Sequence, residues 1–326
     1  MKPYDVYVTR MIPQVGIDML SEIADVRVNP DDRPLSRDEL HREIAAADGV
    51  VGLLSDPVDA AFFEAAKNLK GYANYAVGFD NIDVAEATRR NIPVSNTPGV
   101  LTTATAECAW ALMFAVARRV VEADAVMRSG KWDGWGPLQF LGGDVKGRTL
   151  GVVGAGRIGT ETGLMSRGFD MDVLYTSRSG RVNETLRDRV NGKLVSFDEL
   201  LERSDFISVN TPLTPDTRHL FEAAAFKRMK RSAYLINTAR GPVVDEAALV
   251  DALKSGEIAG AGLDVYEKEP RMADGLADLD NVVVLPHIGS ATALSRDDMA
   301  KLAARNLMSM LKGEEPETCL NPELFS

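Results

Sequence analysis

Short β-branched or apolar runs alternate with helical patterns along most of this 326-residue chain. The runs form two series, the first at 5–9, 25–29, 49–54, 71–76 and 92–95, and the second at 149–153, 172–175, 193–195, 205–210, 233–237, 260–265 and 281–286. Strands that alternate with helices in this way build βαβ units with parallel sheets. The sequence therefore predicts an α/β fold with two doubly wound parallel-sheet domains.

The length also favours two domains, because a single hydrophobic core rarely keeps growing beyond about 300 residues. The segment Asn96-Thr97-Pro98-Gly99 interrupts the pattern just before a long helix predicted over about 103–129. A later amphipathic helix, predicted over 291–312, could return to the first domain and make that domain discontinuous. We therefore predict one domain from 1–98 plus 290–326 and another from 99–289.

Composition excludes several classes of protein. The formal net charge of -11 opposes non-specific binding to nucleic acid or to an anionic membrane. The two cysteines, Cys108 and Cys319, have neither disulfide-framework nor zinc-ligand spacing, so no metal site is predicted and a reducing cytoplasm is expected. The N-terminus enters a strand pattern almost at once, without the apolar core of a signal peptide, and no run is long enough to span a membrane.

The strand at 149–153 leads into Gly154-Ala155-Gly156-Arg157-Ile158-Gly159. In a dinucleotide-binding loop, the first glycine permits a tight turn, the second lets the backbone approach pyrophosphate, and the third allows close helix packing. The amides at the helix N-terminus would meet the phosphates. The alternative is a plain strand-to-helix turn, but the flanking strand and helix favour the dinucleotide site.

About twenty residues further on, an NAD site usually carries an acidic residue that binds the ribose 2′-hydroxyl. Here that place holds Thr176-Ser177-Arg178-Ser179, with Arg181 close behind. Because guanidinium groups offer paired donors to a phosphate, Arg178 and Arg181 favour NADP(H), with NAD(H) possible. The alternative is that both arginines are solvated loop residues.

Arg240, Glu269 and His287 each follow a predicted strand of the second series. Ligands of open α/β sheets bind at the carboxyl ends of the strands, so these groups are expected to meet there. Arginine can hold a substrate carboxylate through paired hydrogen bonds, and histidine can donate a proton near neutral pH. A neighbouring carboxylate would favour the charged imidazolium, and the hydride chemistry would come from the nicotinamide. Each residue alone could be structural; together they predict the reduction of a 2-keto acid.

Seven segments of the chain resemble motifs of the D-2-hydroxyacid dehydrogenase family, and more closely those of its glyoxylate/hydroxypyruvate reductase branch. They are 77–83 (VGFDNID), 96–102 (NTPGVLT), 154–159 (GAGRIG), 212–215 (PLTP), 237–241 (NTARG), 264–270 (DVYEKEP) and 286–290 (PHIGS). The resemblance covers essentially the whole chain. It implies a Rossmann-type nucleotide domain inserted in a flavodoxin-like substrate domain, with the active site in the cleft between them.

The resemblance also implies a role for individual residues. Arg240 would bind the carboxylate and keto oxygen, His287 would donate the proton, and Glu269 would hold that histidine. Substrate would also meet Leu53 and the backbone of Val77 and Gly78. The implied cofactor residues are Gly154, Gly156, Arg157, Ile158, Gly159, Ser177, Arg178, Ser179, Arg181, Pro212, Thr238, Ala239, Asp264, His287 and Gly289.

Relatives of this kind dimerise through the nucleotide domain, so a homodimer is expected that uses the helix at 103–129 and the loop around Trp132 and Trp135. Gln139 stands where some hydroxypyruvate-reducing relatives carry an aromatic residue, and Arg218 stands where relatives often have tyrosine. An alternative keeps the enzyme but changes its substrate to D-lactate, D-glycerate or a longer 2-keto acid, according to the size of the pocket. A protein of another class, an NAD(H)-sensing corepressor-like binding protein, is a further alternative.

Overall fold

The computed structural model describes residues 2–326 of the chain. The twelve strands, numbered along the chain, are β1 (Tyr4–Val8), β2 (Ala24–Val28), β3 (Gly49–Gly52), β4 (Gly71–Asn74), β5 (Val94–Ser95), β6 (Thr149–Val153), β7 (Asp172–Thr176), β8 (Lys193–Leu194), β9 (Phe206–Val209), β10 (Tyr234–Asn237), β11 (Gly260–Leu263) and β12 (Val282–Val284). The helices are α1 (Gln14–Leu20), α2 (Arg37–Ile44), α3 (Ala60–Ala65), α4 (Val84–Arg89), α5 (Thr102–Ala117), α6 (Val120–Arg128), α7 (Arg157–Met165), α8 (Glu184–Val190), α9 (Phe197–Arg203), α10 (Ala223–Arg228), α11 (Glu246–Lys254) and α12 (Ala293–Leu311).

The chain divides into two compact units. The first comprises the residues up to Leu101 together with Ala291–Ser326, and the second comprises Thr102–Ser290. The first unit contains a five-stranded parallel sheet in the order β2-β1-β3-β4-β5. This is the strand order of flavodoxin-like folds. Strands β3 and β4 are buried along their whole length, as expected for a parallel sheet that is covered by helices on both faces.

Helix α12 completes the first unit although it lies at the other end of the sequence. It packs closely against the sheet, because a Cβ added to Gly49 would lie 3.0 Å from Leu307 and one added to Gly71 would lie 2.6 Å from Met310. Further along, the side chain of Asn321 accepts a hydrogen bond from the amide of Val94 at 2.9 Å and so joins the C-terminal segment to β5. Two glycines on neighbouring strands thus create the space that the helix occupies.

The second unit contains a seven-stranded parallel sheet in the order β12-β11-β10-β9-β6-β7-β8. From β6 the chain first adds β7 and β8 toward one edge of the sheet, and it then returns to add β9 to β12 toward the other edge. The strand order therefore reverses between β6 and β9, as in dinucleotide-binding folds. Two clusters of buried apolar residues cover the sheet; one includes Leu235 and Leu263, the other Val152 and Ile236. The prediction of two doubly wound parallel sheets is confirmed.

One predicted helix is wrong. The single helix expected over 103–129 is two helices, because Arg119 takes a left-handed backbone conformation (φ 52°) between α5 and α6. The carbonyl of Ala117 then accepts a hydrogen bond from the amide of Gly143 at 2.8 Å. Neither glycine nor proline marks this break in the sequence, so helical periodicity continued through it. The described residues include no helix that is both long and apolar enough to cross a membrane.

Candidate active site

Three neighbouring strands of the seven-stranded sheet end beside residues that the sequence singles out. Arg240 follows β10, Asp264 follows β11 directly, and His287 follows β12. Because these strands are adjacent and parallel, their carboxyl ends lie at one edge of the sheet. The loop after β11 carries Glu269 toward the same edge, where it meets His287.

His287 and Glu269 form a hydrogen-bonded pair. Nδ1 of His287 lies 3.0 Å from Oε2 and 3.2 Å from Oε1 of Glu269. The amide of Tyr266 also donates to Oε1 of Glu269, at 3.2 Å. Since the carboxylate occupies Nδ1, the other ring nitrogen, Nε2, is the one left to serve a ligand. The pair therefore has the arrangement of an oriented proton donor.

The electrostatics of this pair favour an ionised glutamate. Burial alone raises the pKa of Glu269, but the hydrogen bond and charge of His287, the Tyr266 amide and the charge of Arg240 outweigh it. The net result is a pKa below the ordinary glutamate value. An anionic Glu269 can hold the Nδ1 proton of His287 in place.

Asp264 organises the turn that contains His287. Its Oδ1 accepts the amide of Ile288 and its Oδ2 accepts the amide of Gly289, both at 2.7 Å. His287 itself has a left-handed backbone (φ 55°), which is uncommon for a residue other than glycine. Burial raises the pKa of Asp264 above its usual range, and the two amides offset this only in part. The carboxyl group thus holds the histidine in a backbone conformation that it rarely adopts on its own.

The turn that presents Arg240 is held by Asn237, the last residue of β10. The Asn237 side chain accepts the amide of Ala239 at 3.0 Å and donates to the carbonyl of Arg240 at 2.9 Å. Nη1 of Arg240 donates to the Ala239 carbonyl at 2.8 Å. At Gly241 a Cβ would lie only 1.8 Å from the backbone of Tyr266, so no larger residue fits there.

A buried carboxylate on α11 holds both ends of the loop that carries Glu269. Oε2 of Glu246 accepts the amide of Ala273 at 2.8 Å, and Oε1 accepts the amide of Glu267. Glu267 in turn hydrogen-bonds His219, whose Nε2 lies 2.7 Å from Oε1 of Glu267. His219 is therefore part of the support of this loop.

The glycine loop lies between β6 and α7. Gly154 has φ 94°, and a Cβ added to Gly159 would lie 2.2 Å from the carbonyl oxygen of Gly154. A Cβ added to Gly156 would instead meet no atom within 4 Å, which leaves room for a ligand to approach the backbone. Gly156 caps α7 without a side-chain hydrogen bond, so the first amides of α7, at Arg157 and Ile158, are available to an anion. These residues fit the pyrophosphate of a dinucleotide.

The segment after β7 is a turn that carries two exposed arginines. The hydroxyls of Ser177 and Ser179 lie 3.0 Å apart, and Ser179 also accepts the amide of Arg181 at 3.3 Å. Within residues 2–326, neither the Arg178 nor the Arg181 guanidinium lies against a carboxylate, and no acidic residue ends β7. The turn therefore offers hydroxyl and guanidinium groups, which can donate hydrogen bonds to the oxygens of a phosphate.

Three predicted substrate residues lie in the first unit. Leu53 follows β3, and its amide donates to the buried carboxyl of Asp56 at 2.8 Å. Val77 and Gly78 follow β4, and their carbonyls accept hydrogen bonds from Asn96 at 2.7 Å and from Asn74 at 2.8 Å. All three are thus held by neighbouring polar side chains.

The remaining predicted residues lie in the second unit. Thr238 and Ala239 belong to the turn before Arg240. Gly289 belongs to the turn that Asp264 binds. The carbonyl of Pro212 accepts a hydrogen bond from the Thr217 hydroxyl at 2.7 Å. Gln139 and Arg218 are exposed, and Oε1 of Gln139 lies 3.4 Å from Nε1 of Trp132. In the described part of the chain, no group of three or more His, Cys, Asp or Glu side chains is placed to hold a metal ion.

In each unit, sequence reasoning missed residues that hold the predicted functional residues in place. They are Asn74, Asn96, Asn237 and Glu246. Three of these are asparagines at or directly after a strand terminus, a position where the side chain can hydrogen-bond the backbone of the following turn. That signal was present in the sequence, whereas the contacts of Glu246 depend on a loop about twenty residues away.

Two kinds of comparison relate the chain to known proteins. Residues 110–289 match the family model described as D-isomer specific 2-hydroxyacid dehydrogenase, NAD binding domain. A glyoxylate reductase from Thermococcus onnurineus is 48% identical, with 100% of this chain and 98% of the relative aligned.

Two solved structures are similar to this chain over nearly its whole length. A protein from Thermus thermophilus is 42% identical with a TM-score of 0.89, over 97% of this chain and 99% of that one. An NADPH-dependent glyoxylate/hydroxypyruvate reductase from Sinorhizobium meliloti, in complex with NADP and malonate, is 30% identical with a TM-score of 0.84. That alignment covers 97% of this chain and 96% of the relative.

Proposed function

This chain belongs to the D-isomer specific 2-hydroxyacid dehydrogenase family, and we propose that it reduces a small 2-keto acid, glyoxylate first and hydroxypyruvate second, to the 2-hydroxy acid of D configuration. The observation that carries the proposal is the meeting of the His287–Glu269 pair with the charge of Arg240 at the strand ends of the sheet that bears the glycine loop. Two relatives named glyoxylate reductase, aligned over 98% and 95% of their length, support this choice of substrate.

In this proposal, Arg240 binds the substrate carboxylate and polarises the keto oxygen through its paired donors. The hydride comes from the reduced nicotinamide of the bound cofactor. As the keto oxygen gains negative charge, Nε2 of His287 gives it a proton, so that one hydride and one proton convert the ketone to the alcohol. Glu269 acts from the opposite side of the ring, where it keeps Nδ1 and hence the ring plane fixed.

The direct test is the initial rate of cofactor oxidation with glyoxylate, hydroxypyruvate, pyruvate and 2-ketobutyrate. We expect His287→Ala and Arg240→Ala each to lower kcat/KM for glyoxylate by about 100-fold or more, the usual contribution of a positioned acid or a charged ligand. His41→Ala, on α2 of the first unit, is the control and should keep the wild-type rate. Wild-type protein that turns over no small 2-keto acid would refute the proposal; a preference for pyruvate or 2-ketobutyrate would move the substrate to the D-lactate or longer-chain class.

We further propose that NADPH is the preferred cofactor. Support comes from the two exposed arginines and two serines after β7, and from the absence of an acidic residue at the end of that strand among the described residues. The NADP complex of the S. meliloti relative agrees with this choice.

The cofactor proposal predicts an asymmetric effect of Arg178→Ala. Removing one charge-assisted contact to the 2′-phosphate should raise KM for NADPH about tenfold and change KM for NADH little, since NADH carries a hydroxyl there. Steady-state kinetics with both cofactors at saturating glyoxylate measure this. Equal changes for the two cofactors would show that Arg178 does not bind the phosphate.

We also propose that the protein is a homodimer and that it works in the cytoplasm. The exposed apolar side chains of α6 and the loop after it support the dimer. Cys108 and Cys319 are both free thiols, which fits a reducing compartment.

A further inference from the structure

Three consecutive carbonyl groups after β4 are each bound to a group near the end of the sheet. The carbonyl of Ala76 accepts the amide of Thr97 at 2.9 Å. The carbonyl of Val77 accepts Nδ2 of Asn96 at 2.7 Å, and the carbonyl of Gly78 accepts Nδ2 of Asn74 at 2.8 Å. These three hydrogen bonds therefore fix the orientation of three successive peptide planes.

In a trans peptide the N–H and the C=O point in opposite directions. The peptide bonds from Ala76 to Phe79 are trans, so the amides of Val77, Gly78 and Phe79 point away from the groups that hold the carbonyls. Within their own unit (2–101 and 291–326), none of these three amides donates a hydrogen bond to another protein group. Successive amides turned to one side form a binding place for an anion.

The two asparagines lie at the carboxyl ends of neighbouring strands. Strands β4 and β5 pair in parallel with Ala73 opposite Ser95. Asn74 is the last residue of β4, and Asn96 directly follows β5. Both side-chain amides therefore bind the 77–79 segment from the end of these two strands.

We propose that Asn74 and Asn96 are positioning residues that turn the amides of Val77, Gly78 and Phe79 toward the carboxylate of the substrate. The proposal rests on the proposed function, because it assigns these amides to the carboxylate of the 2-keto acid. It extends the predicted contact at Val77 and Gly78 to the amide of Phe79, and it names the side chains that create it.

The burial of Asn74 supports a role in binding rather than in stability. Its side chain is fully buried, yet its Oδ1 accepts no hydrogen bond from the described part of the chain. A buried polar atom without a partner lowers stability, and this cost opposes the gain from the Nδ2 hydrogen bond to the Gly78 carbonyl. Residues that lower stability are characteristic of functional sites.

The test compares Asn74→Leu and Asn96→Leu with wild-type protein on glyoxylate and on glycolaldehyde, which has a hydroxymethyl group in place of the carboxylate. We expect KM for glyoxylate to rise about tenfold, the cost of one misdirected hydrogen bond to a charged group, with kcat changed less. The rate on glycolaldehyde and KM for the cofactor should stay within about twofold, because neither depends on the carboxylate contact. Thermal unfolding of Asn74→Leu should stay close to that of wild type.

Asn321→Leu is the matched control. Asn321 is a buried asparagine of the same unit that also hydrogen-bonds backbone groups, at Val94 and Ile92, but it does not touch 77–79. It should lower stability and leave KM for glyoxylate unchanged. Equal losses on glyoxylate and glycolaldehyde, or an unchanged KM for glyoxylate, would overturn the proposal.

Two further measurements keep the test decisive. Where a leucine variant does not fold, Asn74→Asp or Asn96→Asp keeps the side-chain volume and replaces the N–H donor by a carboxylate oxygen. Calorimetric binding of oxalate needs no turnover, and the variants should bind it about tenfold more weakly than wild type. If wild-type protein reduces no 2-keto acid, the proposed function fails, while oxalate binding of the variants still decides the role of the asparagines.

Discussion

In each of three carboxylates of the second unit, the two oxygens take part in hydrogen bonds with two different residues. Asp264 accepts the amides of Ile288 and Gly289, Glu246 accepts those of Glu267 and Ala273, and Glu269 accepts Tyr266 as well as His287. An amide side chain has one acceptor oxygen in place of two, so it cannot reproduce any of these arrangements. At the scale of the residue, these three carboxylates make the second unit's part of the site rigid, because each one binds two different residues.

Glu269 gives a prediction about pH. Its folded pKa is lowered despite the opposing effect of burial, so the fold favours the ionised form. The resulting stability is complete above the unfolded glutamate pKa of about 4.3 and is lost as pH falls through the lower folded pKa. Glu269→Gln should therefore have a lower Tm than wild type at pH 7, and the difference should shrink as pH falls below about 4.3.

Thermal unfolding of both proteins across pH 3–8 measures this difference, and folded protein at the lowest pH is confirmed by circular dichroism. A difference in Tm that stays constant down to pH 3 would show that the charge of Glu269 contributes nothing to stability. The same variant should also lose activity at pH 7, since His287 then lacks its charged partner.

Helix α7 and the loop before it use glycine in two different ways. Gly159 is needed for packing, because its Cβ would lie 2.2 Å from the Gly154 carbonyl oxygen and 2.9 Å from Val152. Gly156 is not needed for packing, since its Cβ would face open space. At the scale of the element, one glycine lets the helix approach the strand and the other leaves the helix N-terminus accessible.

This contrast predicts opposite outcomes for two matched variants. Gly159→Ala should destabilise the protein by about 1–3 kcal/mol, the usual cost of overpacking a tight contact. Gly156→Ala should keep the wild-type Tm and raise KM for the cofactor about tenfold, because the methyl group stands where the pyrophosphate approaches. Thermal unfolding and cofactor titration separate the two. A Gly156→Ala protein with normal cofactor affinity would place the pyrophosphate elsewhere.

At the scale of the whole molecule, the second unit has several exposed apolar side chains on α6 and in the loop that follows it. Helix α6 has no buried residue, although Val120, Val121 and Met127 lie on it. In the loop that follows, Trp135 is 84% exposed and Leu138 is 80% exposed. Exposed apolar side chains that cluster along the chain in this way fit an interface, and large aromatic residues are enriched in interfaces.

The proposed dimer makes this surface testable. Val121→Asp should shift the protein from dimer to monomer, because it places a charge in the centre of an apolar interface. Val182→Asp is the matched control, since Val182 is exposed to a similar extent in the same unit but lies outside α6 and its loop. Light scattering after size-exclusion chromatography gives the mass of each protein. A wild-type monomer, or a dimer that Val121→Asp leaves intact, would refute this assignment of the interface.

The accuracy of the sequence-based predictions varied with the range of the interactions involved. Both sheets were predicted because parallel strands buried on two faces have continuous apolar runs, as in β3 and β9. The break between α5 and α6 was missed because it depends on the contact between Ala117 and Gly143, which local propensity does not reveal. Glu246 was missed for the same reason, since its partners lie in a distant loop.

The sequence by itself determined the α/β class, the glycine loop, and the presence of an arginine, a carboxylate and a histidine after successive strands, because these are local patterns of spacing and side-chain chemistry. Only the tertiary structure decided that Glu269 faces Nδ1 of His287, that Asp264 supports the histidine turn, and that Asn74 and Asn96 bind successive carbonyls. The reason is that strand order and register bring together residues that are far apart in the chain, and neither is written in the local sequence.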